Sequence, residues 1–461
     1  MPSPASVDTH RSAQNLPRLD LPARDKTPSR REFLGRSLLA GGAASGLAAG
    51  LSVARGAHAA GDDLLKVALV GCGGRGGGAA MNVLSNKSHP NVKLVALADA
   101  FPDRTAFMAK ALERRFPEKV DVPEERRFTG LDCYQPVMQS DVDLVLLCTP
   151  PGFRPAQFEA AVEAGKQIFM EKPVATDAPG VRRVMAANES AKKKGLAVAV
   201  GHHLRHEVKH LEAIKRIREG AIGPLKFIRV YFNSGGVWVR PRKPDQTEMQ
   251  HQVRNWYYFN WLSGDHITEQ HVHDLDIGNW MADAVPLEAN GIGGRQIRVG
   301  PNTGEIFDHH TVEYTFPNGV KMFSQCRHQP GCWNSFSEHA HGTRGEINIE
   351  GHGKAEFHID GKPVEVVERG PDGHQIEQDR LIAAIVAGKP YNEGDYGATS
   401  TMTAILGRMA TYSGKIVKWD EALASDLDLS PERIAWDAQP KSLPGPDGIY
   451  PCAMPGVTKA W

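Results

Sequence analysis

Short apolar runs separated by longer amphipathic stretches set the pattern of the first half of this chain. Residues 66–70, 92–98, 144–148, 167–170 and 196–200 are continuous apolar runs rather than alternating ones. Continuous runs of that length suit strands buried on both faces of a parallel sheet. Between them, residues 79–84, 156–164 and 180–193 carry helical spacing. Strand and helix in alternation predict a doubly wound parallel layer with helices on both faces. After residue 200 the pattern changes. Residues 225–233, 312–316, 320–326 and 346–350 read as strands, with turn chemistry at Pro317-Asn318-Gly319 and at 342–345. A helix is predicted over 402–413, and another after Gly264, where Ile277, Trp280, Met281 and Ala284 recur at helical intervals.

The first predicted strand runs into Gly71-Cys72-Gly73-Gly74-Arg75-Gly76, a G-x-G-x-x-G sequence ahead of a predicted helix. Gly71 permits the tight turn, Gly73 lets backbone approach a pyrophosphate, and Gly76 lets the helix pack against the sheet. The anion sits where free N–H groups and the helix dipole favour it, with Gly74 and Arg75 in the same loop. The second strand ends at Asp99, placed for the ribose hydroxyls of NAD. A carboxylate there repels a 2′-phosphate, so NAD is favoured over NADP.

Thr149-Pro150 follows the third of the main strands, and Ala164-Gly165-Lys166 precedes Glu171-Lys172-Pro173-Val174-Ala175. In that order, after the glycine loop, these motifs resemble the glucose-fructose oxidoreductase / inositol dehydrogenase / rhizopine catabolism family over most of residues 62–420. The resemblance implies α/β architecture: an N-terminal Rossmann domain with a doubly wound parallel sheet, then an α/β domain with a large open, mostly antiparallel sheet. It implies a homo-dimer or homo-tetramer built through that sheet. It also implies cofactor contacts from Thr149, Pro150, Glu171 and Lys172. The family's catalytic helix is expected after Gly264, where Glu269, His273 and Asp276 fit the family's acid, His and Asp. Three departures stand out. Arg154 replaces a common His, residues 235–261 look like an insertion rich in aromatic and basic residues, and the tail after Trp436 is rich in Pro and Gly.

Hydride transfer from a carbinol carbon needs a base for the hydroxyl proton and a donor to steady the alkoxide. His273 is assigned as general acid/base, Lys172 as the polarising cation, and Glu269 as orienter or substrate ligand. Glu269 and His273 share a face if the helix is continuous. His203 and Arg205, after the last strand of the first layer, are substrate candidates at the junction where such folds bind substrate. Trp256 and Tyr257 could stack on a sugar ring. A metal is not expected. His271 and His273 lie two apart, roughly 200° around a helix, and the six Cys form no Cys-x-x-Cys.

Composition fits a globular chain of 461 residues, 41% hydrophobic and 23% charged. Its formal charge is zero, from 54 Lys+Arg and 54 Asp+Glu, which gives no support for a nucleic-acid partner. That balance hides an asymmetry. Residues 1–59 carry 8 Lys+Arg against 4 Asp+Glu, leaving the remainder mildly acidic. Ser29-Arg30-Arg31-Glu32-Phe33-Leu34, an apolar run over 38–53 and Ala57-His58-Ala59 read as a twin-arginine export signal with a cleavage site. The expected layout is an export signal over 1–59, an NAD-binding domain over 62–200, a substrate and oligomerisation domain over 201–436 and a tail over 437–461. A periplasmic protein then has no membrane contact once the signal is cleaved. The expected partner is a small carbohydrate. The expected activity is NAD(P)-dependent oxidation at a CH–OH group of a sugar, polyol or glycoside. Scarce free NAD outside the cytoplasm favours a tightly bound cofactor and redox-neutral turnover. The alternative is an NAD-dependent glycosidase or lyase working through a transient keto-sugar.

Overall fold

A computed structural model describes residues 64–461. The expected export signal lies outside the described residues. Six strands form a fully parallel sheet: β1 (Leu65–Val70), β2 (Val92–Asp99), β3 (Arg127–Thr129), β4 (Leu144–Leu147), β5 (Gln167–Met170) and β6 (Val198–Val200). Their order, β3-β2-β1-β4-β5-β6, reverses direction between β1 and β4. That reversal opens a crevice beyond the strand ends, where dinucleotides bind in Rossmann folds. The central strands are apolar throughout because helices cover both faces: β4 is buried along its whole length.

The helix after the glycine loop starts at Gly74, five residues before the sequence pattern suggests. Glycines weaken a helix in isolation, but here packing requires them. A Cβ at Gly76 would lie 1.9 Å from the Gly71 carbonyl oxygen, and one at Gly77 would press on Met108. The close approach of helix and turn overrides propensity.

Nine strands form the second sheet: β7 (Leu225–Ser234), β8 (Glu288–Gly294), β9 (His309–Thr315), β10 (Lys321–His328), β11 (Ser335–Gly342), β12 (Gly345–Glu350), β13 (Ala355–Ile359), β14 (Glu365–Val367) and β15 (Val417–Lys418). The order is β14-β13-β12-β11-β7-β10-β9-β8-β15. Only the β7–β10 pair is parallel. The sheet is therefore open and mostly antiparallel, as expected. One face is covered by the helices Val272–Ala282 and Gly394–Ser413, which bury Leu275, Ile277, Met402, Ile405 and Leu406. The helix Gly373–Val386 packs back on the first sheet, burying Leu381 and Ile382 among Leu65, Val67 and Leu94. Asn82 and Gln375 exchange hydrogen bonds of 3.0 and 2.9 Å across that contact.

The helix expected after Gly264 is broken. One turn, His266–Glu269, is followed by Val272–Ala282, with Gln270 and His271 between them. The break is pinned to β10. His271 Nε2 pairs with the Ser324 hydroxyl at 2.7 Å, and the Gln270 amide oxygen meets His328 Nε2 at 2.6 Å.

Candidate active site

The crevice beyond β1, β2 and β4 is lined on one side by Gly71, Gly73, Gly74, Arg75, Asp99, Thr149 and Pro150. Gly73 has no side chain to cap the helix that follows, and no acidic residue occupies its first turn. The terminal N–H groups are therefore free for an anion. A Cβ at Gly73 or Gly74 would meet nothing within 4 Å, so both glycines face open space, a cradle that side chains would fill. Gly76 does not line the crevice; it serves helix packing. The Asp99 carboxylate accepts from the Cys72 N–H at 2.7 Å and the Phe101 N–H at 3.0 Å. Burial raises its pKa, and those two N–H groups work against the rise. The donor set fits the dinucleotide: free N–H groups for the pyrophosphate and a carboxylate for ribose hydroxyls.

A second cavity adjoins the crevice, and Arg75, Cys148, Thr149 and Trp256 belong to both walls. Glu171, Lys172, His203, Glu269 and His273 meet here, from β5, the segment after β6 and both sides of the broken helix. Lys172 Nζ donates to the Glu269 backbone carbonyl and, at 3.2 Å, to its carboxylate. An ammonium has three donors, so one remains for a substrate oxygen. Glu171 ion-pairs with Arg75 at 2.7 Å, tying the strand-end motif to the glycine loop. Burial depresses the His273 pKa well below the usual imidazole range, and the nearby Lys172 ammonium lowers it further. His273 is therefore neutral, in the form that accepts a proton.

Glu269 is held by Lys172, and the helix break separates it from His273; its carboxylate steadies the ammonium rather than the imidazole. Arg205 is not part of this wall. Its guanidinium forks onto Asp276 at 2.7 and 2.8 Å. Trp256 does line the site, whereas Tyr257 is buried behind it, its phenol raised by burial and by the charge of Glu269. Arg154 fills the place of the family histidine as a buried strut, donating to the carbonyls of Leu147, Thr149 and Glu171. Burial lowers its pKa to about 10.

His352, His374, Gln270, Phe232 and Phe336 also line the cavity without having been singled out in the sequence. His374 arrives on the returning helix and stacks on His203 at 3.8 Å between ring centres. Nothing local in the sequence marks it, because its position depends on a helix about 170 residues downstream of its partner docking across the first sheet. His271 turns away, toward Asp274 and Ser324. A buried His206–Glu377–Glu393 group lies beside the site. His206 Nδ1 accepts from Arg380 at 3.1 Å, and its Nε2 lies 3.3 Å from Glu393 without a hydrogen bond between them.

Residues 65–202 match the family model described as oxidoreductase family, NAD-binding Rossmann fold (Gfo/Idh/MocA). Over those residues the chain is therefore similar to Gfo/Idh/MocA oxidoreductases, and the crevice beside the lysine–histidine cavity fits NAD. An inositol 2-dehydrogenase of Rhizobium meliloti (strain 1021) is 23% identical over 263 residues, 56% of this chain and 68% of the relative. In fold, the chain is similar to an aldose-aldose oxidoreductase from Caulobacter crescentus, with a TM-score of 0.62 at 22% identity, over 77% of this chain and 100% of that one. It is equally similar in fold to a levoglucosan dehydrogenase solved with NADH and levoglucosan, at a TM-score of 0.62 and 18% identity, over 77% of this chain and 99% of that one.

Proposed function

We propose that this protein oxidises a CH–OH carbon of a sugar, polyol or glycoside, keeps its NAD bound between turnovers, and restores the cofactor in the same site. The observation that carries the reading is the convergence of Lys172, Glu269 and His273 on a cavity continuous with the glycine-loop crevice. Bound NAD supplies the hydride acceptor. His273, neutral through burial, takes the hydroxyl proton on its imidazole. The free donor of Lys172 Nζ steadies the oxygen as it gains charge, while Glu269 fixes the ammonium in place. The carbon loses a hydride and the oxygen a proton, leaving a carbonyl. The inositol, aldose and levoglucosan activities in the names of the similar proteins are in keeping with a polyhydroxy substrate.

Retention follows from the export signal we propose for residues 1–59. A protein moved to the periplasm with its cofactor must regenerate that cofactor there, which favours pairing one oxidation with one reduction. The outer face of the second sheet exposes Phe323, and Trp333 from the β10–β11 loop lies exposed against Tyr231 beside it, which supports assembly as a homo-dimer or homo-tetramer.

The test is to incubate the protein as isolated with sugars and aryl glycosides, adding no cofactor. Reduced-cofactor absorbance without aglycone release is expected. Aglycone release with no net reduction would replace this reading with transient-oxidation glycosidase or lyase chemistry. Lys172→Ala and His273→Ala should each lower turnover by about 100-fold or more while the cofactor stays bound, as read by absorbance after desalting.

A further inference from the structure

We propose that residues 237–256 are the second wall of the cofactor site, and that Trp238 and Arg240 bind the adenosine half of NAD. The inference rests on the NAD reading and deepens it by naming what retains the cofactor. The glycine loop, Asp99 and Thr149 supply one side of the crevice. Trp238, Arg240, Val253, Arg254 and Trp256 supply another, all from the apparent insertion. A Rossmann crevice without such a cover is open to solvent along the strand ends.

The cover is fastened at both ends. Arg254 forks onto Asp103 at 2.6 and 2.9 Å, with its guanidinium 3.7 Å above the Phe101 ring. That joins the cover to the segment after β2, beside Asp99. From the other side, the C-terminal tail holds it. Phe101 packs on Trp436 at 5.2 Å, Gln252 donates to the Ser442 carbonyl at 2.8 Å, and Tyr450 donates to Glu248. Thr247 caps the helix Glu248–Arg254 and also donates to the Trp436 carbonyl at 3.3 Å.

Two groups on this cover stand out, although Trp238 also meets Trp256 and Tyr257 edge-on at 5.9 and 6.2 Å. The Trp238 indole is 40% exposed yet faces the crevice. The Arg240 guanidinium stacks over it at 4.7 Å and makes no ion pair among the described residues. Arg104 lines the same crevice, so arginines exceed the acids available to them there. An indole carrying a stacked guanidinium suits the face of a purine. The surplus positive charge suits a ligand bearing two phosphates. Because the Arg254–Asp103 fork ties the cover to the segment after β2, cutting it frees the cover, and intact it slows exchange.

The experiment uses the full-length protein loaded with NADH, desalted and chased with excess NAD, following loss of bound-NADH fluorescence. Equilibrium titration of NADH into stripped protein runs alongside. The double variant Trp238→Ala/Arg240→Ala should weaken NADH binding by about tenfold. Asp103→Asn, which cuts the fork without removing a crevice residue, should speed release by about tenfold. Melting of the stripped variants checks that the fold is intact, which the exposure of both side chains favours. Binding and release both within about threefold of the unaltered protein would overturn the proposal. If the unaltered protein itself exchanges NADH within seconds, the retention reading fails, but the affinity ratio still decides the cover.

Discussion

Arg205 follows His203 by two residues and differs from it in every respect that matters to the site. His203 faces the cavity, whereas Arg205 lies between the rings of Tyr396 and Trp280, 3.9 and 4.6 Å away, with both faces of its fork on Asp276. Burial pushes the Asp276 carboxyl upward, and Arg205 more than offsets it, holding the pKa below the usual range. Removing one partner of such a pair strands the other charge in the interior. Arg205→Ala should therefore cost about 3–5 kcal/mol of stability, measured by urea unfolding, with little change in KM per folded molecule. A large KM effect with unchanged stability would restore Arg205 as a substrate residue. The sequence carries residue types and spacing, and by those His203 and Arg205 were equal candidates. The 3-10 turn at His203–His206 turned them apart. Lys172 was legible because its motif sits at a strand end, where backbone geometry leaves little choice of direction.

At the scale of elements, five strands of the first sheet were readable because burial on both faces writes itself as continuous apolar sequence, whereas β3, Arg-Phe-Thr with no buried residue, was not. In the second sheet β8, β11, β13, β14 and β15 were not: Glu-Ala-Asn-Gly-Ile-Gly-Gly and Ser-Phe-Ser-Glu-His-Ala-His-Gly lack alternation, β13, β14 and β15 are short, and β14 is largely exposed. Their pairing comes from neighbours on the ladder. The same limit hid the first turn of the helix at Gly74, where glycine favours coil until the strand and turn are in place. That helix gives a test with opposite signs at two positions on either side of Arg75. Gly76→Ala drives a Cβ to 1.9 Å from a backbone oxygen that has no rotamer to yield. It should cost the stripped protein about 1–3 kcal/mol. Gly74→Ala meets nothing within 4 Å and should raise stripped-protein stability by up to about 1 kcal/mol. It should also weaken NADH binding, because its methyl enters the crevice. Thermal melts and titrations of both variants distinguish packing from cofactor contact; equal destabilisation would refute the division of labour between the two glycines.

The whole molecule places functional groups from distant stretches on one site, which no local pattern records. The crevice cover joins residues separated by 189 positions, as in the Thr247–Trp436 contact. One result of this burial is a set of histidines held neutral. His202, His203, His266, His271, His273 and His328 all have depressed pKa values, with burial the largest cause in each; that of His266 falls to about 4. The unfolded chain binds a proton at each of them below pH about 6.5, while the fold refuses it. Their contribution is therefore present above pH about 6.5 and is lost as pH falls toward the folded values, at about 1.4 kcal/mol per pH unit for each proton refused. Groups of opposite sign are fewer. Burial raises Asp274 and Glu377, aided by Glu338 and Glu393 respectively, so both gain relative stability on acidification. Burial lowers His210, but Glu207 and Glu338 outweigh it and raise its pKa, so it too favours the fold as pH falls. Burial also raises Asp99, Asp177 and Glu305 and lowers His251, His339, His341 and His374, so ten depressed histidines stand against six groups of opposite sign and a net loss remains. The melting temperature of the stripped protein should fall steadily between pH 7 and pH 5, and His266→Gln should flatten that slope. A melting temperature level across the interval would show that the buried carboxyls balance the histidines. A flat slope in His273→Gln but not in His266→Gln would place the protonation in the active-site cavity alone.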